Sequence, residues 1–174
     1  SQLNPHMLFN SLNTLNSLIR ETPGKAQDYL QELSKVLRYS LQESDSHRVT
    51  LEEEMNFVRS YMYLLQMRFE ENLVFEVEVA PEALSKTLPP VSVQLLVENA
   101  VKHNEISNRH PLHIRIRADK DSLSVSNPIQ PKLTASSGTH IGLSNLSKRY
   151  QLLFGREIEV KEEKNHFIVI LPLI

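Results

Sequence analysis

Cysteine and tryptophan are both missing from this 174-residue chain, and only four glycines punctuate it. Without cysteine there is no disulfide and no thiolate metal site, a usage that fits a reducing compartment. No stretch approaches the roughly 20 apolar residues that span a bilayer, and no signal-peptide pattern is visible. An excess of one charge is missing too. The 19 basic residues against 21 acidic leave a formal charge of −2 with no basic run, which excludes the positive field that wraps nucleic acid. What remains, 40% hydrophobic and 23% charged residues, is ordinary for a globular protein of one large or two small domains.

The chain divides by periodicity. Asn4 is a good N-cap and Pro5 fits the first helical position, where its missing N–H costs nothing. Leu8, Leu12, Leu15 and Ile19 then form an apolar stripe, with His6, Asn10, Asn13 and Ser17 on a polar face. Thr22-Pro23-Gly24 ends that helix. A second run carries Ala26, Leu30, Leu33, Leu37 and Leu41. Thr50-Leu51-Glu52-Glu53 reads as a capping box opening a third helix on Leu51, Met55, Val58, Met62 and Leu65. Near Asn72 the pattern changes to alternation: Phe75–Val79 predicts a half-buried strand, His113–Arg117 and Ser122–Val125 a hairpin around Lys120-Asp121, and Ile158–Lys161 with Phe167–Leu171 a last hairpin. Pro89-Pro90 precedes an apolar helix. Pro128 to His140 reads as a loop, after which Leu143, Leu146, Tyr150 and Leu153 predict a helix stopped by Gly155. Helices first and a mixed region afterwards argue for an α+β chain of two units, residues 1–70 and 71–174. Two amphipathic helices cannot bury both stripes alone, so pairing with a second copy into a four-helix bundle is expected.

Three places carry chemistry. His6 lies in the first turn of its helix, where an exposed neutral imidazole is a competent nucleophile and the positive dipole end favours the neutral ring and an anionic product. The bland alternative is a solvated helix histidine. On the helix after Pro90, Val93, Leu96, Val97, Ala100 and Val101 give a buried face, while Asn99 stacks on His103 and Glu98 on Lys102 one turn apart. The amide oxygen of Asn99 suits Mg²⁺; Glu98 and Lys102 equally suit a surface ion pair. Gly138 and Gly142, two of the four glycines, stand just before a helix start, where main-chain N–H groups can approach phosphate.

These segments resemble those of the LytS-type sensor histidine kinases of bacterial two-component systems. Asn4-Pro5-His6-Met7-Leu8-Phe9-Asn10 is similar to the family's phosphoacceptor box, with Met7 where phenylalanine is usual. Leu96-Val97-Glu98-Asn99-Ala100-Val101-Lys102-His103 resembles its N-box. Ser137-Gly138-Thr139-His140-Ile141-Gly142-Leu143-Ser144-Asn145-Leu146, followed by Lys148-Arg149-Tyr150, resembles its glycine box. All three stand in the family's order across nearly the whole chain.

The resemblance implies a helical dimerisation hairpin presenting His6, followed by a Bergerat-type α/β sandwich, a mixed sheet with helices on one face, that binds ATP and Mg²⁺. It implies that Asn99 is the Mg²⁺ ligand, that Lys102 meets phosphate, that Glu98 and His103 line the site, and that Gly138, Gly142 and Leu143 lie along the nucleotide. A homodimer and a response regulator, LytTR-type regulators among them, are the implied partners. With the box opening at residue 4, the chain reads as the cytoplasmic portion of a bacterial inner-membrane sensor whose sensing region lies upstream. One segment departs from the pattern. Where related ATPases read adenine with an aspartate and spaced glycines, this chain has Val125-Ser126-Asn127-Pro128-Ile129-Gln130-Pro131. Asn127 keeps an acceptor and loses the charge. A nucleotide-free dimeric scaffold is therefore a second expectation, separated from the first by Mg·ATP binding. A related ATPase or protein-serine kinase is a third, separated by the acid lability of the phosphoryl bond.

Overall fold

The computed structural model describes residues 5–42, 47–133 and 141–174. Helices α1 (Pro5–Glu21) and α2 (Pro23–Gln42) lead into β1 (Val49–Thr50) and α3 (Leu51–Phe69). Then come β2 (Leu73–Val79), β3 (Thr87–Leu88), α4 (Ser92–His103), β4 (Leu112–Ala118), β5 (Ser122–Pro128), α5 (Ile141–Phe154), β6 (Glu159–Glu163) and β7 (His166–Pro172).

The main sheet has five strands in the order β2-β4-β5-β7-β6, with β2 parallel to β4 and every other neighbour antiparallel. A two-stranded β1–β3 pair stands apart. Strand β4 alternates strictly between buried and exposed residues, so one face of the sheet carries Ile114, Ile116, Leu123, Val125, Val169 and Leu171 into the core. The other face is polar, with Arg115 and Arg117 of β4 ion-paired to Glu76 and Glu78 of β2 at 2.8 and 3.1 Å. Pairs this exposed add little stability; they keep the face soluble.

The turns follow their residues. Asp119 Oδ1 accepts hydrogen bonds from the N–H groups of Asp121 and Ser122 between β4 and β5, an Asx-type turn. Lys164 and Asn165, at φ 50° and 61°, form the tight turn between β6 and β7. Gly155, at φ 61°, ends α5, as a left-handed residue after a helix does.

Helix α3 is the hub. Thr50 caps it, its side chain accepting from Glu53 N–H at 3.2 Å. The expected stripe of Leu51, Met55, Val58, Met62 and Leu65 is buried, and so are Glu54, Phe57, Tyr61 and Leu64. The α1–α2 hairpin packs on this helix, and a single cluster of buried side chains runs from Tyr29, Leu33 and Val36 of α2 through α3 to the sheet.

The apolar stripe predicted for α2 is corrected by the structure. Its core-facing residues are Ala26, Tyr29, Leu33 and Val36, whereas Leu30 and Leu41 are 48% and 60% exposed. In α1, Met7, Leu15 and Leu18 pack inward, while Leu12 and Ile19 of the expected stripe, and Phe9, face outward. Each hairpin helix therefore carries two apolar faces, and the packing of α3 takes the one that includes Tyr29 and Val36.

Candidate active site

Helix α4 separates two cavities, and an unusual entry holds it in place. Val91, just before its first turn, sits at φ 58°, a left-handed conformation that a β-branched residue adopts only under constraint. The constraint is Glu54 of α3. Its fully buried carboxylate accepts the N–H of Val91 at Oε1 and of Val93 at Oε2, both at 2.9 Å. Tyr39 of α2 donates its hydroxyl to the same Oε1 at 2.8 Å. Arg149 of α5 donates to the Pro90 carbonyl at 2.9 Å, and Ser92 Oγ to the Pro89 carbonyl at 2.6 Å. Burial pushes the Glu54 pKa up, against the hydrogen bonds from Tyr39 and the backbone. A carboxylate at a helix N-terminus also meets the positive end of its dipole. Through Glu54 the hairpin, α3 and the start of α4 are one hydrogen-bonded unit.

On one side of α4, toward the sheet, lies a cavity of about 130 Å³. Asn99, His103, Asn127 and Leu143 all line it, among the apolar side chains of Leu96, Val125, Ile129, Phe167 and Val169. A narrow apolar slot with a few polar groups is the usual form of a small-molecule site. Asn127 is buried, and its Nδ2 donates to the Pro128 carbonyl at 2.7 Å. That bond uses one of the two amide N–H groups, leaving the side chain one N–H and a carbonyl oxygen. The floor is tied down by Asn104, which donates to the Ala100 carbonyl at 2.8 Å and accepts Gln130 N–H at 2.9 Å.

On the other side lies a cavity of about 460 Å³ lined by His6, Asn10, Tyr61, Arg68, Glu98 and Lys102, among others. Glu98 accepts a hydrogen bond from Gln94 Nε2 at 3.0 Å. Burial, with the Glu98 charge second, pushes the Tyr61 hydroxyl pKa upward. The residues singled out on α4 thus divide: Asn99 and His103 with Asn127, Glu98 and Lys102 with His6. Gly142 lies in the first turn of α5 beside Leu95, where an added Cβ would have room at 3.6 Å. Gly138 lies outside the described residues.

Sequence reasoning missed Glu54, Tyr39, Arg149 and Asn104. Glu54 had a signal. It falls three residues after Leu51 and four before Val58, on the apolar stripe of α3, where a carboxylate needs donors. Tyr39 and Arg149 had none, because their partners are distant in the chain, and Asn104 shows locally only its bond to the Ala100 carbonyl while its tie to Gln130 is distant.

The donor chemistry fits Mg²⁺ brought by a nucleotide. Among the described residues no cluster of three or more histidine, aspartate or glutamate side chains stands ready for a metal, and Mg²⁺ characteristically takes one or two protein oxygens together with phosphates and water.

N-terminal helices followed by a mixed five-stranded sheet with helices match the fold of histidine kinase catalytic domains. The chain matches the catalytic domain of the histidine kinase ThkA with a TM-score of 0.53 at 19% identity, covering 72% of this chain and 93% of that one. It matches the cytoplasmic segment of the histidine kinase QseC with a TM-score of 0.54 at 14% identity, covering 87% and 93%. The family model described as Histidine kinase matches residues 1–73. The sensor histidine kinase/phosphatase LytS of Staphylococcus aureus strain MRSA252 is 32% identical over 94% of this chain. The chain belongs to the LytS-type histidine kinase family. It spans 31% of the length of that relative, and no helix among its described residues is long and apolar enough to cross a membrane.

Proposed function

We propose that the chain is the phosphotransfer core of a sensor histidine kinase, moving the γ-phosphoryl of Mg·ATP to His6 and from there to a response-regulator aspartate, the last step by family analogy. One observation carries this reading: His6 and the Glu98–Lys102 side of α4 open onto one cavity, while the Asn99 side of the same helix lines an apolar slot. A nucleotide with its base in the slot has α4 between base and nucleophile, and its phosphates reach His6 by passing that helix. Catalysis then rests on positioning and charge neutralisation. Asn99 would hold Mg²⁺ through its amide oxygen, and the ion would supply charge neutralisation for the phosphates. Asn10, one turn after His6 and on the same cavity, orients the imidazole ring. Residues 1–70 act as the dimerisation and phosphoacceptor region and 71–174 as the ATP-binding unit. Incubation with γ-labelled ATP tests the whole reading: acid-labile, base-stable label on a histidine is the expected result, and label on serine or none at all rejects it.

Two outcomes follow for the nucleotide site. Asn99→Ala should slow labelling by roughly 10²–10³, and Lys102→Ala by less, since Lys102 is an exposed side chain on the last turn. Single-turnover rates at saturating Mg·ATP check the ranking, and a larger loss at Lys102 reverses it. A neutral carbonyl contributes about half what a charged acceptor does, so the native chain should bind ATP weakly. Asn127→Asp should tighten binding by about 1 kcal/mol, about fivefold. Calorimetry with a non-hydrolysable analogue and Mg²⁺ decides it. Asn127 is also what favours a second reading, the nucleotide-free scaffold, and absence of binding by both forms of a folded chain would establish that alternative.

The outward apolar residues of the hairpin, Phe9, Leu12, Ile19, Leu30 and Leu41, support a homodimer built through α1 and α2. Light scattering at tens of micromolar should give a dimer, and Leu30→Glu with Leu41→Glu a monomer. A monomeric native chain would contradict the bundle.

A further inference from the structure

The cavity beside His6 holds more positive charge than Lys102 alone. Arg68, in the last turn of α3, and Lys132, in the segment after β5, line it together with Lys102. Among the described residues no carboxylate forms an ion pair with any of the three. Among the described residues the one carboxylate lining the cavity, Glu98, accepts the Gln94 amide. Burial first, then the Arg68 and Lys102 charges, depresses the Lys132 pKa, and burial likewise lowers that of Arg68. Like charges gathered in a partly enclosed space oppose one another until an anion joins them. The Arg68 guanidinium lies 4.5 Å from the centre of the Phe69 ring, which restricts a planar fork of donors suited to a tetrahedral oxyanion.

We propose that Arg68 and Lys132 join Lys102 in a three-cation cradle that receives the phosphoryl group beside His6. The proposal rests on the kinase reading for the source of the group and adds two residues that lie outside the three segments on which the resemblance was drawn. In the transfer the bond from the γ-phosphorus to the β,γ-bridging oxygen breaks, its electron pair leaves with ADP, and an imidazole nitrogen forms the new P–N bond while the ring proton passes to water. The cradle holds the three non-bridging oxygens throughout.

Phosphoramidate separates the cradle from the nucleotide site, because it donates the same phosphoryl with no adenine attached. Its P–N bond breaks, ammonia leaves, imidazole takes the phosphorus, and the ring proton again goes to water. Acid-labile phosphate on His6 of the whole chain is followed by ³¹P NMR, with His6→Gln as background. Arg68→Gln and Lys132→Gln should each slow labelling about tenfold through a raised phosphoramidate KM, and Arg68→Lys should recover part of the loss. Both side chains are exposed on one flank, and unchanged melting of the variants confirms their fold. Labelling of both glutamine variants at the native rate overturns the cradle, as does failure of the native chain to label at His6. If ATP does not label the native chain but phosphoramidate does, with both variants impaired, the cradle stands and the kinase reading falls.

Discussion

His6→Gln should abolish acid-labile labelling from ATP, the largest functional effect expected of any single substitution in this chain. Glutamine keeps a polar side chain on the exposed first turn of α1 but has no basic ring nitrogen to accept phosphorus. The six other histidines lie outside the phosphoacceptor box. Of those within the described residues, only His6 lines the cavity that Lys102 also lines. Fold and nucleotide affinity should be unchanged, because His6 contributes nothing to the slot formed by Asn99, Asn127 and Leu143. Filter-bound counts before and after acid treatment measure the effect, with calorimetry as the control. Undiminished label in the variant would move the phosphoacceptor elsewhere.

Glu54→Ala should be the most destabilising substitution, by about 3–5 kcal/mol. It strands the N–H groups of Val91 and Val93 around a buried void and removes the acceptor that Tyr39 donates to. It also frees Val91 from the hydrogen bond that offsets its left-handed backbone. For a domain of this length the melting temperature should fall on the order of 10 °C. Glu54→Gln keeps the shape but points an amide N–H₂ at backbone donors, and should cost about 1–3 kcal/mol. Tyr39→Phe removes one hydrogen bond to a carboxylate and should cost less than Glu54→Ala. Thermal melts monitored by circular dichroism give the order. A Glu54→Ala protein melting within a degree or two of the native one would show that α4 is held by its apolar face alone.

Elements whose partners are near in sequence are legible from local spacing. The capping of α3 by Thr50, the turn at Asp119, the stop at Gly155 and the buried stripes of α3 and α4 each depend on residues within a turn or two of one another. The alternation of β4 announces a one-sided sheet for the same reason. The two faces of α2 are not separable this way. Leu30 and Leu41 satisfy helical spacing as well as Tyr29, Leu33 and Val36 do, and leucine is the more apolar residue by transfer to hydrocarbon. Only the docking of α3 against the second set decides which face is core.

The site divides along the same line. The sequence by itself determined which residue types can do the chemistry: an imidazole in a first turn, an amide and a lysine on the polar strip of one apolar helix, and an asparagine where related ATPases carry a carboxylate. Side-chain identity and helical period suffice for that. Tertiary structure alone decided that His6 shares a cavity with Lys102 rather than with Asn99, that Arg68 and Lys132 converge on it, and that Glu54 holds α4 at the angle which separates the two cavities. Those facts depend on contacts between residues as far apart as positions 6 and 132, and on a buried carboxylate whose donors come from two other helices, which no periodicity along the chain encodes.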